Sequence, residues 1–217
     1  MTLDFGSLGR TVPVSRHFGF DRGTPIDRLY IDDFLARHAL DIQGRTLEIG
    51  DDGYCRRFGG VRTTQRDVLH AHGDNPKATI VGDLTQGENI PSDSFDCCVI
   101  TQTLHIILDS VAAVRTLHRI LKPGGVLLAT FPGTSQVSLD EWTDSWHWSF
   151  SRRWAERCFG ETFEAAPTIV TYGNLFAATC FLQGIAAEEV ALERLTAQDP
   201  DFDVLIAVRV QKAGGNS

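Results

Sequence analysis

Between residues 45 and 131, short apolar runs alternate with stretches of helical or polar character, and this alternation restricts the fold more than any other feature of the chain. The runs fall at 45–49, 61–66, 79–82, 95–101 and 126–131. Each has strand length. Between the last two, Val111, Val114, Leu117, His118 and Leu121 recur at helical spacing until Lys122-Pro123-Gly124-Gly125 stops the helix. Strands that alternate with helices belong to a parallel sheet with crossover connections, an α/β architecture.

The flanks complete this unit without adding a second domain. The first ~20 residues lack periodicity and read as an arm or lid. Thr24-Pro25 then reads as an N-cap followed by proline at the first helical position. Ile26, Leu29, Tyr30, Phe34, Leu35 and Ala39 follow at helical spacing, which predicts an amphipathic helix over 25–40. Beyond residue 132 a Trp-rich stretch leads to a helix near 151–159, a strand at 168–172, a helical region ending near Leu195, and β-type alternation at 202–210. The last strand is expected to insert antiparallel at the sheet edge. The chain is thus read as one domain over 1–217: an arm and helix at 1–41, a ligand-binding core at 45–131, and a substrate-side segment with the C-terminal strands at 132–217.

Composition narrows the function classes. A net charge of −8 and a pI near 5.3 oppose the balance expected of a protein that neutralises nucleic-acid phosphates. No basic segment followed by an apolar run opens the chain, and no apolar stretch approaches the ~20 residues of a membrane span. Cys55, Cys97, Cys98, Cys158 and Cys180 show neither CxxC spacing nor the density of a disulfide scaffold, a reduced, cytoplasmic pattern.

In an open α/β sheet, ligands sit beyond the carboxyl ends of the strands. The first strand ends Leu47-Glu48-Ile49-Gly50-Asp51-Asp52-Gly53-Tyr54, where glycine permits close approach of backbone to a ligand. Asp67, after the second, stands where a carboxylate accepts both hydroxyls of a ribose. After the third, Asp83 can meet an adenine amino group and Leu84 its ring face. The fourth, 95–100, is followed by Thr101-Gln102-Thr103-Leu104-His105. A nicotinamide dinucleotide is disfavoured, because the turn lacks G-x-G-x-x-G and Asp51 and Asp52 would repel a pyrophosphate. Neither carboxylate opposes a sulfonium.

Taken in order, the E-x-G turn, the acidic residue after the second strand, Asp-Leu after the third, the F-D motif and the L-K-P-G-G turn make residues 47–130 resemble the class I S-adenosylmethionine-dependent methyltransferase core. The resemblance implies a doubly wound, Rossmann-like sheet of seven strands, mostly parallel with an antiparallel C-terminal strand. It also implies S-adenosylmethionine as cofactor, bound by Glu48, Gly50, Asp51, Tyr54, Asp67, Asp83, Leu84, Thr101 and Gln102. Residues 19–35 resemble the start of a bacterial subgroup found beside glycosyltransferases, which brings in a carbohydrate acceptor by analogy. The chain departs from the family in its turn: of three alternating glycines only Gly50 is in register, Asp52 and Tyr54 take the other places, and Gly53 is shifted.

On the acceptor side, a hydroxyl nucleophile gains from a general base, and histidine is suited to that role. His105 follows the fourth strand, and His147 lies in the segment after the fifth; both are candidate catalytic residues, each with a structural role as the alternative. His118 reads as structural. His70 and His72 suggest a metal pair that lacks a third ligand, so no metal is expected. All four tryptophans, Trp142, Trp146, Trp148 and Trp154, lie within a short span. With Asp144 and His147, the first three combine flat apolar surface with hydrogen-bonding groups, which suits a sugar ring or an aromatic metabolite, or else a packed lid. Tyr30, Asp144, Trp146 and Trp148 are the expected acceptor contacts, and Arg22, Asp27 and Arg28 form the opposite rim as a salt-bridged wall or ligand contacts. The expected reaction is O-methylation of a small molecule, a saccharide hydroxyl favoured. N- or C-methylation, or a non-catalytic partner domain of a glycosyltransferase, are the alternatives. A homodimer stays open.

Overall fold

The computed structural model describes residue 6, residues 9–138 and residues 143–215; the remainder of the expected arm and Trp142 lie outside the described residues. Seven strands form one sheet in the order β3-β2-β1-β4-β5-β7-β6. They are β1 Gly44–Ile49, β2 Thr63–His70, β3 Ile80–Val81, β4 Phe95–Thr101, β5 Leu121–Pro132, β6 Thr168–Tyr172 and β7 Leu205–Gln211. The first five pair in parallel, and β7 pairs antiparallel with both β5 and β6. The final strand is therefore antiparallel as expected, but it is not at the edge. β6 passes beyond β5 and leaves a gap that β7 fills, so that β7 finds backbone partners on both sides.

Helices cover both faces. On one, α2 Ser110–Ile120 and α3 Arg152–Phe163 pack Val114, Leu117 and Phe159 against Cys98, Ile100, Leu127, Phe131 and Ile206. On the other, α1 Ile26–Arg37 and α4 Leu175–Leu182 pack Ile31, Phe34 and Phe181 against Cys97, Val99, Leu128 and Leu205. Successive strand residues point to opposite faces, so adjacent Cys97 and Cys98 each serve a different core, and both are buried. All five cysteines are free and buried.

Local chemistry moved some expected boundaries. Helix α2 begins where Asp109 accepts from the Ala112 amide, and it ends one residue early because Leu121 is already extended. Pro25, with ψ 143°, caps α1 from outside the helix, while Thr24 directs its amide and hydroxyl to Glu188, 2.9 and 2.6 Å away. Val61 falls in a 3-10 turn, so the second strand begins at Thr63 and runs on to His70. The F-D motif proves to be structural. Its Asp96 accepts the Arg45 amide at 2.7 Å and pairs with Lys122 at 2.8 Å, tying together the starts of β1, β4 and β5. A side chain at Gly44, whose φ is +65°, would collide with that carboxylate.

Phe131 is fully buried between Phe150, Trp154 and Phe159, with ring centroids 4.9–6.1 Å away. Phe131→Ala should lower unfolding free energy by about 3–5 kcal/mol, read from the urea midpoint. A loss well below 1 kcal/mol would contradict this packing.

Candidate functional site

The strand order reverses between β1 and β4, and beyond the carboxyl ends of these strands two cavities lie side by side. One, about 680 Å³, is lined by residues that include Asp27, Arg28, Gln102, His105 and Trp146. The other, about 920 Å³, is lined by residues that include Leu69, Asp83, Leu84 and Ile107. Ile49, His70, Thr103 and Ile106 line both, so the two adjoin.

The turn after β1 is organised by Glu48. Its buried carboxylate accepts the amides of Tyr54 at 3.1 Å and Cys55 at 2.8 Å, closing residues 49–53 into a loop before the helical turn Cys55–Gly59. Burial pushes the Glu48 pKa up to about 7 against the opposing pull of the two amides. Gly50 has φ +80°, and no atom lies within 4 Å of where its Cβ would stand, so the loop leaves open space over the strand end. Asp51 is turned to its own loop, accepting from Gly53 at 2.9 Å and facing Lys77 at 3.5 Å. Asp52 is neutralised by Arg56 and Arg66. The Tyr54 ring stacks on Phe58 at 6.2 Å, and burial raises its pKa.

Asp67 differs from its expected place. Because β2 runs to His70, Asp67 lies opposite Leu47, inside the strand, where Arg45 at 2.7 Å, Gln65 at 2.9 Å and Thr79 at 2.9 Å consume its oxygens. His70 is the residue at the strand end, with Nδ1 2.9 Å from the His72 carbonyl and 3.4 Å from Asp74. Asp83 and Leu84 line the larger cavity; Asp83 accepts the Thr85 amide and Leu84 is buried. After β4, Thr101 ends the strand and Gln102 adopts φ +45°. The Gln102 amide nitrogen donates to Asp27 at 2.9 Å, joining α1 to the strand end.

The smaller cavity concentrates unpartnered polar atoms. Asp27 Oδ1, Gln102 Oε1, His105 Nδ1 and Trp146 Nε1 are buried without a hydrogen-bond partner, and all four residues line it. Such groups are costly unless a ligand or water completes them. The His105 carbonyl accepts the amides of His147 and Trp148, which clips the segment after β5 over the opening and sets Trp146 4.4 Å from the His105 ring. The arm supplies the facing wall: Phe18 stacks on Trp146 at 5.9 Å and 9°. Burial, with the Arg28 charge second, lowers the His105 pKa to about 4, leaving the imidazole neutral under ordinary conditions.

Other expected contacts are elsewhere. Tyr30 is buried in the core on the α1 side, stacked on Tyr172 at 5.2 Å, with its hydroxyl donating to Leu195 at 2.7 Å. Asp144 and His147 are exposed and line neither cavity. Trp148 is half-exposed, its ring nitrogen 3.0 Å from the Ile107 carbonyl. The sequence carries no sign of Phe18 or Thr103, offers His70 only as half of a metal pair with His72, and leaves Asp27 and Arg28 undecided. For His70 the signal existed, since extending the strand by four residues reaches it; for Phe18 none did.

Comparison with known proteins agrees with this geometry. Residues 48–129 match the family model described as "Methyltransferase domain". A 63-residue stretch is 36% identical to the ubiquinone/menaquinone biosynthesis C-methyltransferase UbiE of Proteus mirabilis, covering 29% of this chain and 25% of that protein. Among solved structures, an S-adenosylmethionine-dependent methyltransferase from Archaeoglobus fulgidus aligns with TM-score 0.58 and 11% identity over 85% of this chain and 94% of its own. The [4+2]-cyclase SpnF aligns with TM-score 0.58 and 17% identity over 89% of this chain and 84% of its own. Phosphoethanolamine N-methyltransferase 2 of Haemonchus contortus, solved with S-adenosyl-L-methionine, aligns with TM-score 0.55 and 14% identity over 92% of this chain and 60% of its own. The match over residues 48–129 is thus to a methyltransferase domain, and the fold is shared with solved methyltransferases, one of them in complex with S-adenosyl-L-methionine.

The residues present fit such a cofactor: the open space over Gly50, the Asp83–Leu84 cavity and the unpartnered atoms beyond β4 form one continuous cleft. If Glu48 holds the turn, Glu48→Ala should speed hydrogen exchange of the Tyr54 and Cys55 amides roughly tenfold or more, as loss of a hydrogen bond to a charged group implies. Unchanged exchange would mean that the turn stands without it.

Proposed function

We propose that the protein transfers a methyl group from S-adenosylmethionine to a hydroxyl oxygen of a small molecule, with a saccharide the favoured acceptor. The observation that carries this reading is the set of four buried, unpartnered polar atoms around Trp146. A sugar brings hydroxyl donors for Asp27, Gln102 and neutral His105, an acceptor oxygen for the Trp146 ring nitrogen, and a C–H face for the Trp146 and Phe18 rings. In this reading the nucleoside of the cofactor occupies the larger cavity, with Asp83 and Leu84 at its base and His70 at the position expected of Asp67. The net charge of −8 supports a small acceptor over nucleic acid, and the buried free thiols support a cytoplasmic setting.

The cofactor supplies a methyl group made electrophilic by a positive sulfur. The chain aligns, desolvates and holds the proton. Alignment of nucleophile and methyl can contribute several kcal/mol. His105 Nδ1 accepts the hydroxyl hydrogen and fixes the direction of an oxygen lone pair. A histidine with pKa about 4 is a weak base, so its contribution is orientation more than proton abstraction. Asp27 Oδ1, in the same cavity, is the other group placed to receive the proton, its second oxygen being held by Gln102. The arm and residues 143–150 exclude water from above.

Isothermal titration should show micromolar-range binding of S-adenosylmethionine and S-adenosylhomocysteine and none of NAD; absence of adenosyl binding would overturn the reading. With a hydroxylated acceptor and labelled donor, His105→Ala should reduce turnover roughly 10- to 100-fold with cofactor affinity kept. Full turnover would remove His105 from the site.

The pH dependence follows from the sign of the shift. A depressed His105 pKa keeps the neutral, accepting form down to about pH 4, so this residue causes loss of turnover only as pH falls through that value. An inflection near the ordinary histidine pKa that disappears in the His105 variant would contradict the burial argument.

C-methylation is the second reading, favoured by the 36% identity to the UbiE segment. The carbon chemical shift of a ¹³C-labelled methyl in the product separates it from O-methylation.

A further inference from the structure

A third cavity, about 390 Å³, lies on the far side of the wall that bounds the acceptor cavity. The wall has three strips, and consecutive residues face the two spaces. His17, Phe18, Ser135 and Phe181 line the acceptor side, while Arg16, Gln136, Val137 and Leu182 line the other. The arm is stitched to the end of α4 there, because the amides of Val14 and Ser15 both donate to the Gln183 carbonyl, at 2.8 and 3.0 Å.

Asp and Glu outnumber Lys and Arg by 28 to 20 in the chain, yet two arginines, Arg10 and Arg16, line this one space, and no carboxylate does among the described residues. Neither guanidinium makes an ion pair or hydrogen bond with a described residue, whereas Arg22, Arg37, Arg45, Arg66 and Arg209 are all paired with carboxylates. Beside them the side-chain amide nitrogen of Gln136 is buried without a partner, a donor left with nothing to donate to. Thr11 adds a hydroxyl. Two like charges in one recess repel each other, and a buried donor costs free energy; a multivalent oxyanion relieves both at once.

We propose that Arg10, Arg16 and Gln136 form a binding site for a phosphoryl group. Each guanidinium offers a forked pair of N–H donors to the phosphoryl oxygens, and Gln136 supplies a further donor from the wall. Gln183 Oε1, also buried and unpartnered, is matched by a hydroxyl next to the phosphoryl group rather than by the anion itself. The anion site does not rest on the methyl-transfer reading.

The test uses the full ¹⁵N-labelled chain, titrated with inorganic phosphate at constant ionic strength, with acetate as a second anion. Saturable shifts of the side-chain N–H signals of Arg10, Arg16 and Gln136 are expected with phosphate, and markedly weaker ones with acetate. The Arg10→Gln/Arg16→Gln double variant should weaken phosphate binding at least roughly tenfold, and Gln136→Leu should weaken it with both arginines in place. Circular dichroism checks that these variants remain folded. Linear, unsaturating shifts, equal binding of acetate, or phosphate binding unchanged in the double variant would each overturn the phosphoryl site. S-adenosylhomocysteine is titrated in parallel. Phosphate binding without nucleoside binding upholds the anion site and removes the methyl-transfer reading. Nucleoside binding without saturable phosphate binding overturns the anion site and leaves the methyl-transfer reading standing.

Discussion

A parallel sheet needs cover on both faces, because the crossovers that connect its strands lay helices against each side. In this chain β4 is buried along nearly all of its length, and its neighbours carry two cores, one facing α2 and α3, the other α1 and α4. With both faces occupied, the carboxyl edge is where backbone can stay open to ligands. Every candidate group except the phosphoryl recess is arranged around that edge: the Glu48 turn, His70, Asp83, Gln102 and His105.

The edge alone makes half a site. What converts it into an enclosed cleft is a pair of straps from distant parts of the chain. The arm is fastened by Arg22 to Glu189 and by Thr24 to Glu188, both on the turn after α4. The segment after β5 is clipped to the His105 carbonyl. Where the straps meet, Phe18 and Trp146 stack, and the four unpartnered polar atoms lie beneath. The same arm, continued backwards past Ser15, carries Arg10 and Arg16 to the other side of the wall. One strap thus serves two spaces, which is why the acceptor cavity and the arginine-lined recess adjoin.

Much of this was legible along the chain. The limits of β4 and β6 coincide with the expected runs 95–101 and 168–172: β4 is a buried, mainly apolar run, and β6 a β-branched run at the sheet edge. Lys122-Pro123-Gly124-Gly125 marked the end of α2 to within one residue, although these four residues belong to β5, which begins at Leu121 rather than at 126. The second strand was less visible: its interior carries Gln65, Arg66 and Asp67, polar residues satisfied partly by one another and partly by other segments, among them Arg45 and Thr79. Asp67 therefore read as a free carboxylate at a strand end when it is an internal ion pair.

The apolar periodicity, the E-x-G turn and the proline-glycine stop determined by themselves the α/β class, the mostly parallel sheet and the edge at which a ligand must lie, because each depends on residues close in sequence. Only the tertiary structure decided which polar groups are free. Tyr30 and Asp67 are spent on partners 165 and 22 residues away, and Gln102 reaches Asp27 across 75. It also decided that β7 slips between β5 and β6, since backbone pairing across a sheet leaves no mark in either strand's own pattern. Whether a side chain serves a ligand or the fold depends on what stands opposite it, and that is set by packing between segments.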